Sequence, residues 1–400
     1  MKILQINVVY NVGSTGRITA NIHHYLLEHG VDSYVIYGHD KKANENHVYR
    51  TRPDLEAKIW HFASLFTGNF YGGVPVGTHR VIHLIEQIKP DVVHLQCING
   101  YFVSIPRILT YLKNHQIKTV LTLHADFMFT GSCSYADDCE KWRTGCGHCP
   151  NLKKFGGPLC LDFTSHYWKK MFKALSDFST LEVVSVSPWL MNRAKTSPMM
   201  KNAHHSAINN GIDTSVFKRC DVAELRTKLD LKNNKILLYV SSVFGDEMKG
   251  GNNILRLADN LKTEPIKIMI VGADKNMTFP SNIINVGKVG SPSEMAQYYS
   301  LADLTVLTSK REAFSMICAE SLCCGTPIVG FQAGGPESIS LKEYSEFVPY
   351  GDIGLLATTV KTWLGKENVD REMISQLGIE AYSKERMAKE YLSLYEGLNK

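Results

Sequence analysis

Two glutamates, with the backbone between them, are the residues of this chain best placed to bind a polar, anionic ligand. Glu312 and Glu320 are separated by seven residues, and Phe314 and Ser315 lie between them. The apolar run 302–307 predicts a buried parallel strand, and residues Phe314 to Cys324 have helical spacing that ends at a Gly followed two residues later by Pro. Glu312 is therefore expected in a strand-to-helix turn. Backbone N–H groups at the helix start would favour phosphate, and the carboxylates would hold sugar hydroxyls. The alternative is that both glutamates are ordinary solvated acids.

A lysine and several glycines offer further contacts for phosphate. Lys249-Gly250 precedes a predicted helix, where the ammonium group would neutralise charge on a diphosphate. Gly13 and Gly16 follow the first predicted strand, and glycine there lets the backbone approach phosphate closely. The alternatives are a solvated loop lysine and a plain strand-to-helix turn.

The elements that must position these residues alternate between strand and helix in both halves. The 400 residues exceed the usual length of a domain with a single hydrophobic core, so we expect two domains. Alternation of this kind predicts α/β units with parallel sheets, whose ligands lie at the carboxyl ends of the strands. The predicted strands are Ile3–Val8, Ser33–Tyr37, Val92–Gln96, Thr119–Leu123, Val183–Val186, Ile236–Val240, Ile266–Val271, Ile283–Val286, Leu304–Leu307 and Ile328–Gly330.

The Glu312 region resembles the donor site of retaining glycosyltransferase family 4. The resemblance rests on Glu312-x7-Glu320 with its following Gly-Thr-Pro, on Lys249-Gly250 and on the Asn-Gly-x-Asp run ending at Asp213, and it covers nearly the whole chain. It implies the GT-B fold, in which two Rossmann-like domains with parallel sheets face one another across a cleft. The implied domains are an acceptor-binding domain over 1–207, a nucleotide-sugar-binding domain over 208–383, and a helix over 384–400 that crosses back to the first.

The resemblance also implies roles for individual residues. Glu312 would hold the sugar, Glu320 the ribose and Lys249 the diphosphate. His124, which ends a predicted strand, would contact the donor sugar, although a structural histidine is the alternative. The implied catalytic residues are Glu312, His124 and Lys249; the implied donor-binding residues are Gly13, Gly16, Lys249, Gly250, Glu312, Phe314, Ser315 and Glu320.

The implied function is transfer of a hexose, with retention, from a nucleotide-diphosphate sugar to a glycan on a polyprenyl-diphosphate lipid. Such enzymes build bacterial exopolysaccharide, lipopolysaccharide and O-antigen, and this fold requires no metal cofactor for catalysis. A nucleotide-sugar epimerase, a phosphorylase of the same fold, and a non-catalytic zinc-containing binding protein are the alternatives.

Four cysteines crowd one segment of the first half. Cys133, Cys139, Cys146 and Cys149 fall within 17 residues, and Cys160 follows. In a chain expected to be cytoplasmic, such density indicates either a structural zinc site or a set of reduced, packed thiols. This Cys-rich segment (residues 130–160), with Trp142, resembles an insertion in a colanic acid and O-antigen type subgroup of the family. Its place after His124 suggests that it shapes the acceptor entrance.

The charge is uneven and suggests an anionic surface as partner. The net charge is +5; residues 1–200 hold 21 Lys and Arg against 15 Asp and Glu, and residues 201–400 hold 23 against 24. No apolar run is long enough for a membrane span, so we expect a cytoplasmic protein peripheral to the inner membrane. The aromatic stretch 59–71 and the basic stretch 167–173 would face anionic lipid, or else pack inside the domain. Nucleic acid is not expected, because no basic run is interleaved with aromatic residues.

Overall fold

The computed structural model describes residues 1–51, 55–152, 161–231 and 233–400. The chain forms two compact units. The first contains residues 1–209 and 387–400, and the second contains residues 210–386.

The first unit is built on a seven-stranded parallel sheet with the order β3-β2-β1-β4-β5-β6-β7. The order reverses direction between β1 and β4, and such a switch point opens a crevice at the carboxyl edge of the sheet. The strands are β1 (Lys2–Asn7), β2 (Asp32–Tyr37), β3 (Val48–Arg50), β4 (Val92–Leu95), β5 (Lys118–Leu123), β6 (Leu181–Ser185) and β7 (His204–Ala207). The helices are α1 (Gly13–Glu28), α2 (Leu55–Thr67), α3 (Pro75–Ile88), α4 (Ile105–Asn114), α5 (Thr164–Leu175) and α6 (Pro188–Lys195).

The second unit repeats this design with a six-stranded parallel sheet in the order β10-β9-β8-β11-β12-β13. Its switch point lies between β8 and β11. The strands are β8 (Lys235–Val240), β9 (Ile266–Val271), β10 (Ile283–Gly287), β11 (Leu304–Leu307), β12 (Ile328–Phe331) and β13 (Ser345–Val348). The helices are α7 (Ala223–Lys228), α8 (Gly251–Asn260), α9 (Pro292–Leu301), α10 (Met316–Cys323), α11 (Gly335–Ile339), α12 (Ile353–Leu364) and α13 (Arg371–Tyr382), with α14 (Lys384–Asn399) leading into the first unit.

The last helix, α14, completes the core of the first unit. Met387, Ala388, Tyr391 and Tyr395 are buried among apolar side chains of β1, α1, β4, β5 and β6. The hydroxyls of the two tyrosines also join a buried polar network: Tyr395 Oη lies 2.6 Å from His94 Nδ1, and Tyr391 Oη lies 2.9 Å from Thr122 Oγ1. Burial lowers the pKa of His94 to about 3, so its imidazole is neutral in this network.

The α/β class with two parallel sheets is confirmed, and all ten predicted strands are present. Three short strands, β3, β7 and β13, were not predicted, because none contains an apolar run long enough to stand out. Among the described residues, no helix is both long and apolar enough to cross a bilayer.

Candidate active site

Glu312 sits where the second sheet reverses its order, in the loop after β11. Its backbone is fixed from both sides, because its N–H donates to Ala333 O (3.0 Å) and its carbonyl accepts from Gly335 N (2.9 Å). The residue is only 8% exposed. A carboxylate so withdrawn from water needs a cationic or hydrogen-bonding partner.

Lys249 supplies that partner. Its Nζ donates to Glu312 Oε1 at 2.8 Å, across the switch point from the loop that follows β8. This bond joins residues 63 positions apart in sequence, and it brings together two residues that sequence analysis had placed at a common ligand. A charge-assisted bond of this kind orients both groups.

Gly250 allows the Lys249 loop to approach β11 closely. Its φ is +74°, and an added Cβ would lie 2.0 Å from Thr308 O. Thr308 Oγ1 instead donates to Gly250 O at 2.9 Å, and Lys310 N donates to Met248 O at 2.9 Å. The two loops that carry Lys249 and Glu312 are therefore held together by one backbone bond and one side-chain bond.

Helix α10 begins at Met316, two residues later than predicted, because Ser315 adopts a φ of +88° and caps the helix. Ser315 Oγ accepts from Cys318 N at 3.3 Å. The N–H groups of Phe314 and Ser315 precede the helix, and neither donates to another described residue. Both remain available for an anionic oxygen beside Glu312.

Glu320 lies one turn inside α10, half-exposed. Its Oε2 accepts from the hydroxyl of Tyr299 at 2.9 Å. Burial, reinforced by the Glu320 carboxylate, raises the pKa of Tyr299 far above its ordinary value, so this hydroxyl stays protonated and donates. Tyr299 thus orients the carboxylate of Glu320.

Glu337 was missed by sequence analysis although it organises the same loop. Its carboxylate accepts from Ala333 N (3.1 Å) and Gly334 N (2.8 Å), closing the start of α11. Ala333 is the residue whose carbonyl holds Glu312. The Gly-Gly-Pro-Glu sequence carried the signal, since an acid three residues after a helix start typically reaches back to cap it.

His124 lies at the carboxyl end of β5 in the first unit, and a buried relay determines which ring nitrogen carries its proton. Gln5 Nε2 donates to Thr19 O (3.2 Å), so Gln5 Oε1 faces Gln96 Nε2 (3.5 Å). Gln96 Oε1 must then accept from His124 Nε2, 3.0 Å away. Burial lowers the pKa of His124 to about 4, so the ring is neutral and its Nδ1 holds the lone pair. His124 can therefore accept, through Nδ1, a proton or hydrogen bond from a ligand hydroxyl.

Gly13 and Gly16 occupy the β1–α1 turn of the first unit. Gly13 has a φ of +63° at the start of α1, and nothing lies within 4 Å of where its Cβ would be. Gly16 is confined, because a Cβ would approach Val9 Cγ2 and Asn11 N, and its carbonyl accepts from Asn11 N at 3.0 Å. Gly13 leaves open space for a ligand, whereas the role of Gly16 is to close the turn.

The predicted zinc site is not supported by the structure. Among the described residues no group of three or more His, Cys, Asp or Glu side chains is arranged to hold a metal ion, and Cys160 lies outside them. Cys133, Cys139, Cys146 and Cys149 do border one small gap. Cys133 donates to Cys149, which lowers the pKa of Cys149 to about 7 and raises that of Cys133.

The described part of the Cys-rich segment packs around an apolar centre. Trp142 is buried, its ring packs on Phe129, and the guanidinium groups of Arg143 and Arg193 lie over it. Arg193 also forms a two-bond ion pair with buried Asp126. An apolar centre and a buried ion pair therefore hold the described part of the segment in place.

The comparisons with known proteins agree with this geometry. Residues 221–378, which contain Lys249, Glu312 and Glu320, match the family model described as glycosyl transferases group 1. The Escherichia coli (strain K12) protein WcaC, named as a glycosyl transferase of colanic acid biosynthesis, is 22% identical over 417 residues and covers 100% of both chains. N-acetyl-alpha-D-glucosaminyl L-malate synthase of Bacillus anthracis is 24% identical over 53% of this chain and 58% of its own length.

Solved structures share the fold at low sequence identity. Sucrose-phosphate synthase of Thermosynechococcus elongatus superimposes with a TM-score of 0.67 at 17% identity, over 99% of this chain and 98% of its own. Anabaena Alr3699/HepE, solved in complex with UDP, gives a TM-score of 0.66 at 14% identity, over 99% and 100%. The chain therefore has the GT-B fold, and its residues 221–378 match the family of glycosyl transferases group 1.

Proposed function

We propose that the protein transfers a hexose, with retention of configuration, from a nucleotide-diphosphate sugar to a glycan acceptor in bacterial surface polysaccharide synthesis. The observation that carries the proposal is the Lys249–Glu312 ion pair at the switch point of the second sheet, beside the N–H groups of Phe314 and Ser315. The relative that covers all of the chain is named for glycosyl transfer in colanic acid biosynthesis, and the relative that covers about half is named as a synthase of N-acetyl-alpha-D-glucosaminyl L-malate.

In the proposed reaction the second unit binds the donor. Lys249 and the N–H groups of Phe314 and Ser315 contact the diphosphate, Glu312 accepts from sugar hydroxyls, and Glu320 accepts from the ribose. The bond between the anomeric carbon and the diphosphate oxygen breaks while the acceptor oxygen bonds to the same face of the sugar. The acceptor proton passes to the leaving phosphate oxygen. Lys249 stabilises the charge that develops on that group.

For the first unit we propose acceptor binding, and for His124 a contact with the transferred sugar. As a neutral ring with its lone pair on Nδ1, His124 would accept a hydrogen bond from a sugar hydroxyl. Gly13, with open space beside it, would offer its backbone to a phosphate oxygen of the donor.

The donor assignment is tested by screening nucleotide-sugar turnover across a panel and then comparing variants with the best donor. Glu312→Gln should lower turnover at least tenfold, because it removes a charge-assisted hydrogen bond of about 1.5–3 kcal/mol. Glu320→Gln should mainly weaken nucleotide binding. Glu343→Gln, an exposed acid in the same unit, is the matched control. Wild-type kinetics in both site variants would contradict the proposal.

Lys249→Ala separates phosphate from nucleoside binding. Calorimetry should show a larger loss of affinity for the nucleoside diphosphate than for the nucleoside, because the lost attraction is to phosphate. Lys262→Ala, an exposed lysine of the same unit, should change neither. Equal losses for both ligands would place Lys249 outside the diphosphate site.

We further propose that the acceptor is lipid-linked and that the first unit docks on an anionic membrane. Helix α2 supports this, because Leu55, Ile59, Phe62 and Phe66 form one stripe at helical spacing with exposures of 70, 59, 64 and 48%. Not every aromatic residue of the stretches 59–71 and 167–173 can contact a membrane. Tyr71 and Tyr167 are buried.

The basic residues lie on a neighbouring helix of the same unit. Tyr167 of α5 donates to Thr67 O at the end of α2 (3.1 Å), which joins the two helices. Lys169, Lys170 and Lys173 of α5 are exposed. Exposed apolar and basic side chains on one domain are typical of binding at a lipid interface, where each lysine contributes about 1 kcal/mol near anionic lipid.

Sedimentation with anionic and neutral vesicles tests the docking proposal. Binding should require anionic lipid, weaken as salt rises, and fall when Phe62 and Phe66 become Ser or when the three lysines become Gln. Leu355→Ser, which removes an exposed apolar side chain of the second unit, should have no effect. No binding by the wild type at low salt would contradict membrane docking and leave the transferase proposal standing.

A further inference from the structure

The first unit contains a cavity of about 310 Å³ at the carboxyl edge of its sheet. Its floor is formed by the residues that follow three strands: Val8 after β1, Asn99 to Tyr101 after β4, and Phe127 after β5. Residues 132–134, 149, 151 and 152, from the described part of the Cys-rich segment, complete the lining. The volume lies at the lower end of the range of small-molecule sites, about 300–1,000 Å³.

The lining combines aromatic faces with uncharged polar groups. Phe70, Tyr101 and Phe127 contribute rings, while Asn99, Ser134 and Asn151 contribute amides and a hydroxyl. Among the described residues that line it, none is basic, and the only acidic groups are the thiols of Cys133 and Cys149 and the phenol of Tyr101. An anionic ligand would meet no cation among these residues, at high cost, whereas a ring with apolar faces and hydroxyl edges would be satisfied.

The walls are held rigidly before any ligand arrives. The Tyr71 hydroxyl donates to the carbonyls of Phe127 (2.8 Å) and Thr130 (2.6 Å), which fixes the floor. Asp126 N donates to Ser134 O at 2.9 Å, while the Asp126 carboxylate is itself held by Arg193. Such support reduces the ordering that a ligand must impose, and it favours a binding site over a packing defect.

The backbone conformation of Tyr101 is further evidence for a ligand site. Tyr101 adopts a φ of +62°, and its hydroxyl lies 2.9 Å from Ser64 Oγ of α2. Left-handed backbone at a non-glycine residue costs energy, and such residues cluster at ligand sites. A second, smaller cavity, lined by His124 and Gln96, shares Asn99 and Phe127 with the larger one. The two cavities are therefore neighbours, and His124 lines the smaller one.

We propose that this cavity binds an uncharged sugar ring of the acceptor, with residues 132–134, 149, 151 and 152 as its specificity-determining wall. The inference rests on the proposed transferase function, and it narrows the acceptor class. The ring bound here is a neutral hexose or deoxyhexose, and a uronic acid or a phosphorylated sugar is rejected. The cavity lies outside the region that matches the glycosyl transferases group 1 family.

The test measures glycoside binding to the full chain without any donor. Saturation-transfer NMR is recorded with the methyl glycosides of glucose, galactose, mannose and fucose, and with methyl glucuronide. At least one neutral glycoside should bind, at least ten times more tightly than the glucuronide. Equal or tighter binding of the glucuronide, or no binding by any neutral glycoside at millimolar concentrations, would overturn the proposal.

Two variants locate the binding. Ser134→Tyr fills the cavity and should weaken binding of the neutral glycoside at least tenfold, whereas Ser179→Tyr, an exposed serine of the same unit, should not. Asn151→Leu removes a polar group while keeping its volume, so it remains informative if Ser134→Tyr lowers the melting temperature. Unchanged glycoside binding in both cavity variants would place the sugar elsewhere.

The outcome is separable from that of the transferase proposal. Glycoside binding requires no nucleotide sugar, so it stays readable even if no donor in the panel is turned over. Conversely, donor turnover by the wild type with no glycoside binding would overturn the cavity assignment alone.

Discussion

At the scale of single residues, the chain controls proton position through contacts far apart in sequence. Gln5, Gln96 and His124 belong to three different strands or strand ends, yet the unambiguous acceptor Thr19 O fixes the direction of the whole relay. Both glutamines are buried. A glutamine on a strand is unremarkable as sequence, and for this reason the relay could not be predicted, although His124 itself was.

Removing the relay should change the tautomer of His124. Gln96→Leu deletes the acceptor of the Nε2 proton, so we expect both ring tautomers and a fall in turnover of about tenfold, equal to roughly 1.4 kcal/mol. Nitrogen-15 chemical shifts of the imidazole measure the tautomer directly. Gln96→Glu keeps an acceptor oxygen and should retain the tautomer with the proton on Nε2. The substitution Gln87→Leu, at an exposed position, serves as the control. Unchanged shifts and turnover in Gln96→Leu would contradict the relay.

At the scale of elements, sequence patterns located the long strands and the turn of Glu312, because burial on both faces leaves continuous apolar runs. They did not reveal β3, β7 or β13, which are three or four residues long and sit toward the sheet edges. For the Cys-rich segment they left a structural zinc site or packed thiols as alternatives, and they did not reveal the support that the structure shows. What supports the segment, the Asp126–Arg193 pair, joins residues 67 positions apart and has no local signature.

Breaking that pair should release the Cys-rich segment. Arg193→Met leaves Asp126, which is 1% exposed, without its cation, so we expect a loss of about 3–5 kcal/mol in unfolding free energy. Arg143→Met is matched, because Arg143 also lies over Trp142 but is exposed and should cost far less. Chemical denaturation measures both. If the two variants lose equal stability, the stacking on Trp142 matters and the ion pair does not.

At the scale of the whole molecule, the buried histidines should make the first unit sensitive to acid. Burial lowers the pKa of His23 and His124 to about 4 and that of His94 to about 3, from an ordinary value of 6.5. The unfolded chain therefore binds protons first as pH falls. The free energy of unfolding should therefore be at its full value above about pH 6.5. It should decline toward pH 4 by up to about 1.4 kcal/mol per pH unit for each histidine.

Tryptophan fluorescence can follow this decline, since four of the five tryptophans belong to the first unit. They are Trp60, Trp142, Trp168 and Trp189, and only Trp363 lies in the second. The denaturation midpoint should decrease as pH is lowered from 6.5 to 4. His23→Asn should make this dependence on pH less steep, whereas the substitution His204→Asn, at an exposed position, should not. A slope that is the same in wild type and His23→Asn would exclude this histidine as a cause.

The return of α14 to the first unit has a consequence for biosynthesis. Because Met387, Ala388, Tyr391 and Tyr395 belong to the first core, the second unit is in effect an insertion within the first. On the ribosome, every residue of the second unit emerges before the first unit has its final helix. The second unit can thus fold while its neighbour still has an open groove along β1, α1, β4, β5 and β6. The part of the protein that begins synthesis first is the last to be finished.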